Sequence, residues 1–309
     1  MRAVVTADYG SAPALVELAE PVPGPGEVRV HMRASSVNGL DNAIAQGWVR
    51  GLMEHAFPVV LGRDFAGTVD MVGEGVTDLA LGEDVFGVVI TQPLAAGAFA
   101  DYLVLPADHN LARIPDGMDH ATAGVLGLAG SAAIAVVDAV AVGPGDTVLI
   151  SGATGGVGAV AIQLATSRGA TVIATAANDA EAAHVRSLGA PFVVDPGPDM
   201  ADAVKGIAPD GLSAVLHLAG DPAALAALLA QGGRFGTLLG AAPEAPAGRT
   251  ISVASVYATP HRGVLDALAA DVMSGRLRVP VQRSYSLTDA PRAMADFQAG
   301  TMGKLAISI

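Results

Sequence analysis

The sequence of 309 residues predicts an α/β chain in which a doubly wound parallel sheet is inserted into a β-rich lobe. Three observations carry this expectation. From Asp146 to Gly158 an apolar strand runs into a glycine turn and then into the helix-like Ala159–Ala165. Beyond it, strand-like and helix-like segments alternate, whereas the start and the end of the chain read as short strands broken by Gly and Pro.

Taken in order, strands are expected at Arg2–Ala7, Leu15–Leu18, Glu27–Ser35, Asp64–Val72, Asp84–Val89 and Ala98–Val104. Punctuation such as Pro21-Val22-Pro23-Gly24-Pro25-Gly26 separates them. The uncharged stretch Ala121–Val137 approaches the length of a membrane span. Ala and Gly dominate it and Asp119 and Asp138 bound it, so it reads as a buried helix of a soluble protein. After the glycine turn come a second strand at Ala170–Thr175, a helix from Asp179 to Leu188, a Gly189-Ala190 stop and a third strand at Pro191–Val194. Strands at Ala214–Leu218, Arg234–Leu239 and Thr250–Val256 bring the parallel sheet to six. A strand at Val279–Ser286, a helix at Thr288–Gln298 and a strand at Leu305–Ile309 return to the β-rich lobe.

The turn has the spacing Ala153-x-Gly155-x-x-Gly158, with alanine at its first position. Alone, this pattern also fits a methyltransferase or a plain tight turn. The βαβαβ rhythm around it favours a dinucleotide, whose pyrophosphate needs backbone N–H groups free of side chains and the positive end of a helix. Thr154, Gly155, Gly156, Val157 and Gly158 are therefore expected to hold a cofactor, with Thr175, Leu218, Gly220, Leu238 and Leu239 bordering it at the carboxyl ends of strands.

Charge and composition exclude several function classes. Seventeen Lys and Arg stand against thirty Asp and Glu, a net −13, which argues against nucleic acid and against anionic membrane surfaces. Cysteine is absent, which removes disulfides and thiol catalysis and leaves zinc only His and carboxylates. His31, His55, His109, His120, His217 and His261 show no metal-type spacing, and no Gly-x-Ser-x-Gly elbow follows a strand. Met1–Glu20 lacks an apolar signal core, so a cytoplasmic location and no membrane insertion are expected.

Several ordered motifs resemble one family across most of the chain. They are Pro23-Gly24-Pro25-Gly26-Glu27-Val28, Val37-Asn38-Gly39-Leu40-Asp41, Pro58-Val59-Val60-Leu61-Gly62-Arg63-Asp64-Phe65-Ala66-Gly67, Val72-Gly73-Glu74-Gly75-Val76 and the segment from Gly145-Asp146 to Gln163. The chain resembles the zinc-independent quinone oxidoreductase branch of the medium-chain dehydrogenase/reductase superfamily. The resemblance implies a GroES-like catalytic domain, residues 1–117 and 258–309, around a Rossmann dinucleotide-binding domain, residues 118–257. Asp64 stands where zinc-dependent relatives carry an acid beside a metal histidine, but Arg63 replaces that histidine. Without a Lewis acid the acceptor must already be electron-poor, as a quinone or an α,β-unsaturated carbonyl is.

The resemblance also implies residue roles. Asn38 is expected near the nicotinamide as a polar catalytic group, with capping of the following helix as the alternative, while Asp41 is expected to hold the turn. Ala43 stands where some relatives carry a tyrosine proton donor. Trp48 is expected either to wall the substrate or to fill the core, Tyr257 to line the substrate opening and Ser131 to meet the carboxamide. No acid ends the second strand, where Thr175-Ala176-Ala177-Asn178 stands, so NADPH is favoured and NADH stays open. The usual phosphate clamp is replaced by Glu181 and Asp195, leaving Arg186, His184 or Lys304 to meet a 2′-phosphate. A homodimer through the edge at Arg249–Val256 is implied as well. The leading expectation is an NADPH-dependent reductase; a 2-enoyl thioester reductase and a catalytically silent nucleotide-binding protein are its rivals.

Overall fold

A computed structural model describes residues Met1–Ile309. The chain forms two compact units. One comprises Met1–Leu128, Pro260–Gly275 and Val281–Ile309; the other comprises Ala129–Thr259 and Arg276–Pro280. The division falls later than residue 117, inside the helix Gly127–Ala139. The short Arg276–Pro280 return belongs to the second unit for a physical reason: the Arg278 N–H donates to Gln163 Oε1 at 3.0 Å, and its guanidinium donates to the Ser187 carbonyl at 2.9 Å.

The second unit holds six parallel strands. In spatial order they are Phe192–Val194, Thr171–Thr175, Thr147–Ser151, Leu212–His217, Leu229–Thr237 and Ser252–Ser255. The first strand in sequence, Thr147–Ser151, is central, with Val148 paired to Val172 on one side and Ala214 on the other. Its residues are buried because helices cover a parallel sheet on both faces, which is why it reads as a continuous apolar run. Leu149, Ile173, Val215, Leu225 and Phe235 form one core cluster. The helix Gly156–Ser167 buries Ala159, Val160, Ala161, Ile162 and Ala165. The strand order reverses beside the central strand, and such a reversal is where doubly wound sheets bind ligands.

The first unit contains a three-stranded antiparallel sheet, Ala14–Glu17, Arg2–Thr6 and Val59–Val60, and a larger sheet centred on Glu27–Ser36 and Asp64–Val72. Its core comes from alternating inward residues such as Val28, Val30 and Met32, which meet Phe65, Val85 and Leu103. Lys304–Ser308 pairs antiparallel with Glu27–Ser36 and parallel with Val281–Ser286.

Two elements differ from expectation. The strand expected at Ala98–Val104 lies at Tyr102–Pro106. Its first residues instead bind a turn: the Ala98 and Phe99 N–H groups donate to the Gly62 and Leu61 carbonyls at 2.9 and 2.8 Å. Gly62 has φ +88°, and a Cβ there would fall 2.4 Å from Phe99 Cδ1, so the chain must be glycine at that point. The helix expected over Ala121–Val137 is two helices, His120–Ala123 and Gly127–Ala139. Gly124 ends the first, and its backbone approaches Ala34 so closely that a Cβ would lie 2.9 Å from Ala34 Cβ. No helix is long and apolar enough to cross a membrane.

Candidate functional site

In the second unit, a cleft of about 420 Å³ opens at the carboxyl ends of the central strands. Ser151, Thr154, Thr175 and Gly220 line it, together with Glu181 and Asp221. Three glycines of the adjoining turn do three different things. Gly152 takes φ +69°, which bends the chain out of the strand. A Cβ on Gly158 would fall 2.5 Å from the Gly152 carbonyl oxygen, so this glycine lets helix and strand pack closely. A Cβ on Gly155 would meet only that same oxygen, at 3.8 Å. Packing does not require glycine at 155, and what remains is room for a ligand. Gly155 is also the N-cap of Gly156–Ser167, whose first N–H groups lack acceptors within the helix. This is an anion-accepting cradle, and a dinucleotide pyrophosphate fits it.

A buried relay ties the strand ends together. The Leu239 N–H donates to Thr237 Oγ1 at 3.1 Å, and Thr237 Oγ1 lies 2.9 Å from His217 Nδ1. His217 Nε2 lies 3.1 Å from the Gly220 carbonyl oxygen. A carbonyl only accepts, so Nε2 carries the proton and Nδ1 accepts from the hydroxyl. The two loops after Leu212–His217 and Leu229–Thr237, which contain Leu218, Gly220, Leu238 and Leu239, are thus held by one side chain. Its only sequence signal was a histidine inside an apolar strand. Ser151 adds a second tie, accepting from the Leu218 N–H at 3.3 Å. Ser131 is buried in the Gly127–Ala139 helix and does not line the cleft.

The first unit contains a closed ionic cluster. Asp64 is fully buried, and its Oδ2 accepts from Ser36 Oγ at 2.6 Å, Asn38 Nδ2 at 2.9 Å and Lys304 Nζ at 3.2 Å. Its Oδ1 accepts from the Leu128 N–H at 2.6 Å, at the start of a helix, where negative charge is favoured. Lys304 Nζ also donates to Asn38 Oδ1 at 2.6 Å and to the Val37 carbonyl at 3.1 Å. Beside it, Asp41 accepts from the Asn38 and Gly62 N–H groups at 2.7 and 3.1 Å and lies 3.8 Å from Arg63 Nε. Burial pushes the Asp41 carboxyl up to about 6, against the pull of the Arg63 charge, and burial brings Arg63 down to about 10. No three His, Asp or Glu side chains converge as a metal site would need.

The comparisons with known proteins follow this division. The alcohol dehydrogenase GroES-like domain family matches residues 24–116, and the zinc-binding dehydrogenase family matches residues 156–261. A chloroplastic quinone oxidoreductase, QR1, from Triphysaria versicolor is 32% identical over 228 residues, covering 71% of this chain and 68% of that protein. The chain is a medium-chain dehydrogenase/reductase. A mycocerosic acid synthase-like polyketide synthase from Mycobacterium tuberculosis is 36% identical over 219 residues, covering 69% of this chain. The chain spans about a tenth of the length of such synthases, 10% of that relative. Among solved structures, an NAD-dependent alcohol dehydrogenase is 28% identical with a TM-score of 0.86, covering all of both chains. A mycobacterial protein complexed with NADPH is 28% identical with a TM-score of 0.87, again over the whole of both chains.

The structure places the remaining expected site residues as follows. Lys304 is not a charge available to a phosphate, because its ammonium is buried on three acceptors of the first unit. Arg186 is exposed on its helix and does not line the cleft. His184 is held below the usual histidine range, by burial first and by the Arg278 charge second, which makes it a poor counter-ion. Of the helix Asp179–Ser187, the side chain that lines the cleft is Glu181. Asn38 turns its amide inward: both donors go to Asp64 and the Ser36 carbonyl, and its oxygen accepts from Lys304. The Asn38 side chain is thus engaged within the Asp64–Lys304 cluster. Trp48 does not fill the core, being 70% exposed, as is Tyr257.

Proposed function

We propose that the protein transfers a hydride from a nicotinamide dinucleotide to an acceptor already activated by conjugation, a quinone or an α,β-unsaturated carbonyl, without zinc. The observation that carries this reading is the open face of Gly155, in the turn whose Gly152 and Thr154 line a cleft at the strand-order reversal. When bound, the dinucleotide supplies the hydride. The protein's own residues bind and orient it: the Gly156, Val157 and Gly158 N–H groups meet the pyrophosphate, while Thr154, Thr175 and Gly220 border the adenosine half. Leu218, Leu238 and Leu239 flank the ribose on the nicotinamide side. Trp48 in the first unit and Tyr257 in the second each expose an aromatic ring of the kind on which a flat acceptor stacks.

Independence from zinc is supported by the donors rather than by the lack of an ion. Asp64, the acid such a site would use, already accepts from four groups, and its charge is met by Lys304. The Asn38–Asp64–Lys304 cluster fixes the turn between Glu27–Ser36 and the helix Gly39–Gln46. Pairing of two copies through the exposed edge strand Ser252–Ser255 is part of the same reading. So is work in the cytoplasm.

Similarity to segments of polyketide synthases favours one second reading, a reductase of 2-enoyl thioesters. The test is to follow oxidation of NADH and NADPH with a benzoquinone, a naphthoquinone and an enoyl thioester. Turnover of the quinones is expected. Turnover of the thioester alone would replace the first reading by the second, and dinucleotide binding with no turnover on any acceptor would remove both.

A further inference from the structure

We infer that the cleft selects a dinucleotide whose adenosine ribose carries a free 2′-hydroxyl, NADH, and that Glu181 is the residue that selects it. The inference rests on the reading of this cleft as the adenosine site. Glu181 and Asp221 are the two charged side chains in its lining, and Lys, Arg and His are absent from it. A 2′-phosphate would therefore bring two negative charges toward two carboxylates with no counter-ion beside them.

Glu181 is also fixed in place, unlike an ordinary solvated carboxylate. Its Oε2 accepts from the Ala177 N–H at 2.8 Å and its Oε1 from Asn178 Nδ2 at 2.9 Å. The Glu181 N–H in turn donates to Asn178 Oδ1 at 3.0 Å, completing a reciprocal cap on the helix Asp179–Ser187. The cap brings the carboxylate back to the end of Thr171–Thr175, although Glu181 lies six positions beyond that strand. An ionised carboxylate has about four acceptor sites, and the cap uses two. The remaining two are placed to accept a ribose hydroxyl and to repel a phosphate. Asp221, capping Pro222–Ala226 through the Ala223 N–H at 2.9 Å, adds a second negative charge to the lining.

The nearby cations lie outside the lining: Arg278 is tied by hydrogen bonds to Ser187, Arg168 is paired with Asp138, and Arg186 is exposed on the helix. His184, on the same helix as Glu181, is disfavoured as a cation.

The test is titration of the protein with NADH and with NADPH, read by dinucleotide fluorescence with no acceptor present, and repeated with Glu181→Gln and Glu181→Lys. Wild type should bind NADH at least tenfold more tightly than NADPH. Glu181→Gln, which keeps an acceptor for the Ala177 N–H, should shrink the ratio severalfold, and Glu181→Lys should invert it. Tighter NADPH binding by wild type would overturn the inference while leaving the cleft reading intact. A ratio unchanged in both variants would remove Glu181 from the explanation. Binding of neither dinucleotide would overturn the cleft reading, and the inference with it.

Discussion

The ionic cluster of the first unit and the cleft of the second are both built from polar side chains at the ends of strands, yet one is closed and the other open. Around Asp64, donors and acceptors saturate one another: four donors converge on one carboxylate, and Lys304 meets three acceptors. Beside Gly155, the first helix N–H groups lack acceptors within the helix, and Glu181 lines a cavity with two acceptor sites left over by its cap. Saturation produces position, because every group moves only with its neighbours. Open hydrogen-bonding capacity produces binding. Polar clusters of similar residue types thus serve opposite ends according to whether their valences close.

This contrast can be broken by mutation. The largest effect is expected from Lys304→Met, which leaves Asp64 buried and unpaired and should cost about 3–5 kcal/mol in chemical denaturation. Adding Asp64→Asn to it should recover part of the loss. The neighbouring Asp41 gives the next effect, through pH. Its folded carboxyl titrates at about 6, above the ordinary 3.8, so between these values the folded state binds the proton more readily. Stability held below that window is then lost as pH rises through it, on the order of 3 kcal/mol. Asp41→Asn should lack this slope when melting is compared at several pH values.

The cleft predicts a different pattern from paired glycine variants. Gly158→Ala should destabilise by about 1–3 kcal/mol, because its methyl meets backbone at 2.5 Å. Gly155→Val should leave the melting temperature close to wild type and weaken dinucleotide binding by at least tenfold, roughly 1.4 kcal/mol or more. Exchange of these two outcomes would put the ligand face on the wrong side of the turn. The smallest effect on stability is expected from Val253→Lys on the exposed edge strand, within about 0.5 kcal/mol. It should nevertheless shift a dimer toward monomer in sedimentation at low concentration.

The fold was legible in the sequence wherever burial is two-sided or turns are marked. The apolar run Val148–Ile150 and the glycines at 152, 155 and 158 announce the sheet and its turn, because a parallel core and a tight bend restrict residue choice. The break at Gly124 was not legible, since it depends on the close approach of Ala34 from a distant strand. Site residues were legible where the backbone acts and obscure where partners decide. Glu181 stood in the sequence as a replacement in the usual phosphate clamp, and its place in the cleft lining depends on the cap to Ala177 and Asn178. Lys304 read as a cation near the chain's end, and nothing local in the sequence signals Asp64 as its partner. His217 gave no spacing signal because its relay joins two loops through Thr237.

The separation of Asp64 from Lys304 by 240 positions has a consequence for synthesis on the ribosome. Ala129–Thr259, which supplies all six parallel strands, is made in one stretch, so that sheet can assemble while translation continues. The earlier lobe has most of its strands at once, but it holds a carboxylate whose counter-charge does not yet exist, and its Glu27–Ser36 strand lacks its neighbour Lys304–Ser308. The lobe synthesised first is therefore the last to close, and until then an unpaired strand edge stands exposed to other nascent chains and to chaperones.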